Sequence, residues 1–291
     1  MLPLYNTVRL KEAQDASLEI LLEVDRICRK HGLTYLLDSG TLLGAVRHKG
    51  FIPWDDDADI AMTRENFEAF KKYKNELRDG FSLLMPDEFA EGTRFYDFTP
   101  RIIYRDSRRR AYTDEQEYYE GKLNHLWVDI FILDGIPDCK MSDSITRFRQ
   151  KVIYGLSMPK RFGIDPEKYS KSDRFRVKVL CAMGKSFKMQ KLFKAQEKLS
   201  IKYNGKKHKR LYYSNYQPDY LHCTVMRSWS ENHTELPFED HMLMVPENYD
   251  EVLKVIYGDY MQLPPEEKRY PSHSDDIEVF KDGKPAEPIL R

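Results

Sequence analysis

Three carboxylates on alternate residues, Asp55, Asp57 and Asp59, run directly into the short apolar segment Ile60-Ala61-Met62. In an extended strand that spacing points all three the same way. Like charges gathered on one side cost stability, so the chain must fold with positive charge among them or with some of them protonated. A bound divalent cation meets that demand, and the cluster reads as a magnesium site. The plainer alternative is a solvated acidic turn in which Asp59 caps the next segment. The flanks argue against it, because the aromatic approach Phe51-Ile52-Pro53-Trp54 and the strand-like exit put the aspartates at the mouth of a strand. A calcium loop of the Asp-x-Asp-x-Asp type is excluded, since the positions that need Gly and Glu hold Ile60 and Asn66.

Upstream, Asp38-Ser39-Gly40-Thr41-Leu42-Leu43-Gly44 forms a small-residue turn between a predicted strand at Leu33–Leu37 and a predicted short helix at Thr41–Arg47. Such a turn lets backbone N–H groups and a helix N-terminus come close to a phosphate, which makes Ser39, Gly40 and Thr41 candidate phosphate-binding residues. Arg47 and His48 lie between the two motifs and can offset the charge of a diphosphate. Further on, Leu126-Trp-Val-Asp-Ile-Phe-Ile-Leu133 is an almost continuous apolar strand with one acid, Asp129. A carboxylate rarely sits in such a run without a partner. A cation held jointly with Asp57 and Asp59 would supply one; an arginine or a backbone donor is the alternative. Asp134, ahead of Gly135, is a fallback candidate that reads more simply as turn chemistry.

Around these motifs the pattern is that of a globular protein, with 41% hydrophobic and 32% charged residues in 291 and a mean hydropathy of -0.67. An amphipathic helix is predicted over Leu10–Lys30, with Gly32 as its stop, and a second from an N-cap at Thr63 toward Glu76. Strands are predicted at Phe81–Met85, Tyr96–Tyr104 and Phe238–Val245, a helix from Pro246 to Ile256, and a polar surface tail from Lys268. The four cysteines are widely spaced, which favours free thiols over zinc ligands or disulfides. No apolar run is long enough to span a membrane and the N-terminus lacks a secretory pattern, so a cytoplasmic protein is expected. Net charge is zero, yet Lys140–Arg210 holds 21 Lys and Arg against 5 Asp and Glu. A basic, helical stretch of this kind suits peripheral contact with an anionic membrane at the inner face of the cell membrane. Nucleic acid is disfavoured because no reader motif accompanies the charge.

The segment from Asp38 to Ile60, together with Leu126–Gly135 and Tyr257-Gly-Asp-Tyr-Met-Gln-Leu-Pro-Pro265, resembles the LicD family, which includes bacterial phosphocholine transferases and the animal fukutin-related proteins. The family more often has a larger aliphatic at the position of Ala58. The resemblance implies an α+β fold, a nucleotidyltransferase-like mixed β-sheet core flanked by helices, with a basic helical insertion. The expected organisation is a catalytic core over 1–139, the insertion over 140–215, and a C-terminal segment over 216–291 that completes the core and the acceptor side. It also implies Mg²⁺-dependent transfer, with Mn²⁺ as a substitute, of phosphocholine or a similar phospho-substituent from CDP-choline or another CDP-alcohol. The acceptor would be a hydroxyl of a cell-surface glycan, teichoic acid or lipopolysaccharide precursor, free or lipid-linked. Asp57, Asp59 and Asp129 are then the expected catalytic residues, and Asp55, Asp57, Asp59 and Asp129 the metal ligands. Two other readings compete: a DxD glycosyltransferase that uses a nucleotide sugar, and a catalytically inactive glycan-binding scaffold.

Overall fold

A computed structural model describes residues 7–110, 112–164, 169–205, 208–271, 277–281 and 284–285. Helix α1 (Thr7–His31) buries Ile20, Leu21, Val24, Ile27 and Cys28 completely, a helical-period stripe that packs on the central sheet. It gives way at Gly32, whose φ of 64° is left-handed. Strand β1 (Leu36–Leu37), helix α2 (Ser39–His48), strand β2 (Asp59–Thr63) and helix α3 (Arg64–Lys72) follow. Thr63 caps α3 by accepting the Asn66 N–H. After them come β3 (Phe81–Leu84), β4 (Arg101–Tyr104), β5 (Ser107–Arg109), the short α4 (Asp114–Tyr118) and the long β6 (Leu126–Ile136).

The basic segment supplies α5 (Lys140–Ser157), α6 (Lys171–Gly184) and α7 (Met189–Ser200). These helices have a hydrophobic cluster of their own, built from Phe95, Phe98, Tyr154, Met158, Met189 and Leu192. The chain then returns to the core through β7 (Arg210–Tyr213), β8 (Thr224–Met226), α8 (Arg227–Glu231), the hairpin β9 (His233–Phe238) and β10 (His241–Pro246), and α9 (Tyr249–Tyr257). Strands β11 (Ile277–Lys281) and β12 (Lys284–Pro285) close the described chain.

The central sheet is mixed and runs β1-β2-β6-β4-β3. Only the β2–β6 pair in that run is parallel. Strand β6 is long enough to take β4 along its first half and β7 along its second, so it forms the axis of the fold. This is the expected α+β arrangement of a mixed sheet flanked by helices.

Several local expectations shift. Of the three alternating aspartates only Asp59 lies in a strand, and Asp55 and Asp57 sit in the loop ahead of it. The segment predicted as a strand from Tyr96 pairs only from Arg101, because Asp97 Oδ1 accepts the Thr99 N–H (2.8 Å) and turns the chain first. Phe238–Val245 is not one strand; the chain reverses at Glu239, whose φ is 53°. Asp134 and Gly135 are not a turn but lie inside β6. There Asp134 pairs with Arg64 (2.6 Å), and a Cβ on Gly135 would stand 2.8 Å from the Tyr203 carbonyl oxygen. The tail is not wholly superficial either. Ile277 and Val279 are buried where β11 pairs with β5.

Candidate active site

The register of three strands builds the centre of the site. Asp59 on β2 is the parallel partner of Asp129 on β6, and Arg101 on β4 is the antiparallel partner of Asp129. Register partners share a face, so Asp59, Asp129 and Arg101 form a row across adjacent strands about 4.8 Å apart. One residue on, Ile60 and Ile130 point to the opposite face and are completely buried. The lone acid in the apolar run is therefore the one position of that strand start that faces the other carboxylate.

Arg101 is 3% exposed and is held from several sides. It grips Asp97 through both terminal nitrogens (3.0 and 2.5 Å) and donates to the Thr99 carbonyl (2.9 Å). The rings of Tyr96 and Trp127 flank it at 5.0 and 5.4 Å. Its Nε lies 2.8 Å from Asp129 Oδ1. By distance this is an ion pair, yet neither atom makes a hydrogen bond of acceptable geometry. The guanidinium thus meets Oδ1 as a charge and not as an aligned hydrogen-bond donor. The Asp129 side chain as a whole is 25% exposed, so its remaining surface opens away from Oδ1. Burial pushes the Asp129 carboxyl up to about 6, against the downward pull of Arg101.

On the other side of Asp59 the charge is uncompensated. Burial first, then the charges of Asp57, Asp129, Asp38 and Asp55, hold Asp59 well above the usual carboxylate range. Burial, the charge of Asp57 and a carboxyl–carboxyl hydrogen bond with it raise Asp55 in the same direction. Helix α2 is anchored to this cluster. Thr41 Oγ1 accepts the Asp59 N–H (2.9 Å), and Asp38, at the N-cap position, accepts the Tyr213 (2.8 Å) and Ser39 (3.1 Å) hydroxyls. Ser39 has a φ of 48°, a conformation that costs a serine roughly 1 kcal/mol or more and that clusters at functional sites.

Gly40 is required for a different reason. A Cβ there would stand 2.6 Å from Asp55 Oδ2. The glycine lets a carboxylate press against the first turn of α2, where the helix's partial positive charge favours it. Gly40→Ala should therefore displace Asp55 and lower turnover by about 10²-fold, as misplacement of a site group by an ångström commonly does. The thermal midpoint should stay near that of the wild type, and steady-state kinetics beside a melting curve checks both.

All of this faces one cleft of ≈ 670 Å³. Ser39, Gly40, Asp55, Asp57, Asp59 and Asp129 line it, as do Asp97 and Arg101. Thr41 is buried behind the wall, and its hydroxyl is committed to β2. Arg47 and His48 do not line it. They close the far end of α2, about 12 Å along a helix from Ser39, and Arg47 donates to the Tyr260 carbonyl (3.0 Å). The basic side chains on the wall are instead Arg101, Arg109 and His125, and Tyr216, Tyr220 and Tyr257 form an aromatic side. Sequence reasoning missed these. The one usable signal was the Asp97/Arg101 pair of opposite charges at the entry to an apolar strand.

No three His, Cys, Asp or Glu side chains among the described residues are gathered closely enough to hold a metal ion by themselves. A cage of that kind suits a structural metal. Magnesium keeps water and substrate phosphate oxygens and takes only one or two protein carboxylates, so the spread donor set fits it.

Residues 32–162 match the family described as LicD/FKTN/FKRP, nucleotidyltransferase domain. The lipopolysaccharide cholinephosphotransferase LicD of Haemophilus influenzae is 28% identical over 93% of this chain and 98% of its own length. An uncharacterized protein of Rickettsia typhi is 42% identical over 22% of this chain, and one of Rickettsia prowazekii is 44% identical over 16%.

Proposed function

On the premise that residues 32–162 place this chain in the LicD family, we propose that it transfers phosphocholine from CDP-choline to a hydroxyl of a cell-surface glycan, with Mg²⁺ as the required ion. The observation that carries this reading is the pairing of Asp59 with Asp129 beside Asp55 and Asp57 in one cleft. Such a concentration of acid, for which Arg101 beside Asp129 is the one close cation described, suits a cation brought in with a diphosphate. The similar Haemophilus influenzae protein is a lipopolysaccharide cholinephosphotransferase, which makes a lipopolysaccharide-type glycan the first acceptor to try.

Asp57 and Asp59 would hold the ion directly, with Asp55 and Asp129 reaching it through its water ligands. Bound there, magnesium would neutralise the donor diphosphate and stabilise the departing nucleotide. The first turn of α2 would present Ser39 to the phosphates, beside the space at Gly40 that Asp55 occupies. Arg109 and His125 take the charge-offsetting role that Arg47 and His48 are too distant to fill. The acceptor oxygen bonds to the choline-bearing phosphorus while the bond from that phosphorus to CMP breaks. The hydroxyl proton passes to Asp129, the carboxylate on β6 that faces the same cleft.

The trimethylammonium group has no N–H to donate and is bound by aromatic faces, each contributing roughly 0.5–2 kcal/mol. Tyr96 and Trp127 already face Arg101. The Tyr216, Tyr220 and Tyr257 side of the cleft is accordingly the head-group end. Tyr216 stacks on Tyr220 at 5.1 Å and packs on Phe131 at 4.2 Å, which holds that wall rigid.

The test is a donor panel with purified protein, Mg²⁺ and lipopolysaccharide as acceptor. CDP-choline should yield CMP and a phosphocholine-bearing glycan, EDTA should cut turnover by about 10²-fold or more, and added Mg²⁺ should restore it. Turnover indifferent to EDTA would overturn the metal assignment. Consumption of a nucleotide sugar in place of any CDP-alcohol would establish the glycosyltransferase reading instead.

A further inference from the structure

Helix α6 is apolar on two faces, and one of them has no partner among the described residues. Its inner face carries Leu180 and Gly184 against α5, so close that a Cβ on Gly155 would stand 2.5 Å from Leu180 Cδ1 and one on Gly184 would overlap the Leu156 carbonyl oxygen. Its outer face carries Phe175, Val179 and Met183, at steps of four residues, and Phe187 continues that spacing just past the helix end. These side chains are 71%, 42%, 54% and 43% exposed. The neighbouring α5 repeats the pattern. Met141, Ile145 and Phe148 lie on one face at 71%, 46% and 67% exposure. Scattered exposed apolar residues need no explanation, but a helix that exposes a periodic apolar stripe along its length does; the α5 residues lie on the same face as Gly155, on which α6 packs.

What surrounds these stripes decides the occupant. Arg176, Lys178, Lys185 and Lys188 are exposed beside the α6 stripe, as are Lys140, Arg149 and Lys151 beside that of α5. A second copy of the chain docked by symmetry on this face would bring the same cations together. An anionic bilayer is attracted by them. No helix among the described residues is long and apolar enough to cross a membrane. Helices with large apolar groups outward and cations beside them lie in the bilayer interface instead.

We infer that the outward face of α6 is a membrane-docking surface, on which Phe175, Val179, Met183 and Phe187 enter the interface of an anionic lipid bilayer while the flanking lysines and arginines hold its headgroups. The surface is separate from the cleft, so this inference stands whether or not the transfer reading does.

Vesicle co-sedimentation of the full chain, without donor or acceptor, tests it. Phosphatidylcholine vesicles that contain phosphatidylglycerol should bind at least ~10-fold more protein than phosphatidylcholine alone, with the difference lost at high salt. The triple variant Phe175→Ser, Val179→Ser, Met183→Ser should lose ~10-fold or more of this binding, and so should Arg176→Glu, Lys178→Glu, Lys185→Glu. Because these positions are exposed, both variants should keep the wild-type melting midpoint and turnover on a soluble acceptor. Equal binding to neutral and anionic vesicles, full binding by either variant, or a concentration-dependent dimer that the serine variant abolishes would each overturn the inference.

Discussion

Asp59→Asn should remove transfer activity, by about 10³-fold or more, and at the same time make the metal-free protein more stable. The first effect follows from its place in the row. An amide is a weaker ligand for a hard cation than a carboxylate, and loss of a group aimed at developing charge costs about this much in other enzymes. The second follows from what surrounds it. Half-buried and ringed by four other aspartates, Asp59 has its proton affinity raised well above the ordinary value. A carboxyl shifted upward in this way contributes stability that is present below its unfolded pKa and lost as pH rises through the folded one. In EDTA the wild type should therefore melt lower at pH 8 than at pH 5. The asparagine variant should be flatter with pH and melt higher at pH 8 by roughly 2–4 °C. Activity and melting curves on the same samples separate this outcome from simple unfolding. A variant that loses both activity and stability would mean that Asp59 is structural.

The same register explains what was and was not legible in the chain. Asp59 and Asp129 could be singled out because each is an acid placed against an apolar strand, and a strand pattern is local. Their adjacency was reachable only as the cheapest way to give both a partner. Arg101 was not legible. Its role depends on β4 pairing with β6 in one register, and a shift of one residue would turn its side chain to the opposite face. Arg47 and His48 fall outside the cleft lining for the opposite reason. Nearness in sequence to the acidic cluster suggested nearness in space, but a helix of the length of α2 carries its last turn well away from its first. Gly40 was assigned to phosphate approach, while the space beside it accommodates Asp55. In each of these cases the residue type was informative and the partner was set by tertiary pairing.

The strand tail makes the same point about the fold. Ile277 and Val279 alternate as a half-buried strand should, but they stand in a region whose prolines and charges read as surface. Their strand exists because β5 offers an edge to pair with. The helical stretch over α5 to α7 was visible from its periodicity. That Arg210–Tyr213 leaves it to join β6 was not, since the segment's composition continues the basic run.

Arg101→Met should be the most damaging single change to the fold, at about 3–5 kcal/mol, the usual cost of removing one partner from a buried charge cluster. Methionine can fill much of the space between Tyr96 and Trp127, so the loss isolates charge more than volume. What remains is Asp97, 5% exposed, and Asp129, each without its guanidinium. Arg101 is the group that draws Asp129 downward, to about 6 in its presence. Without it that carboxyl titrates higher still, and stability tied to its neutral form is lost as pH rises through the new value. The defect should accordingly be large in urea unfolding at pH 8 and clearly smaller at pH 5. Arg101→Lys should fall between, since it restores charge without the two-pronged grip on Asp97. Combining Arg101→Met with Asp97→Asn should cost less than the two single changes together, by about 1 kcal/mol or more. If the deficit were the same at both pH values and strictly additive with Asp97→Asn, the cluster would be contributing through packing. The row of Asp59, Asp129 and Arg101 would then have no electrostatic basis.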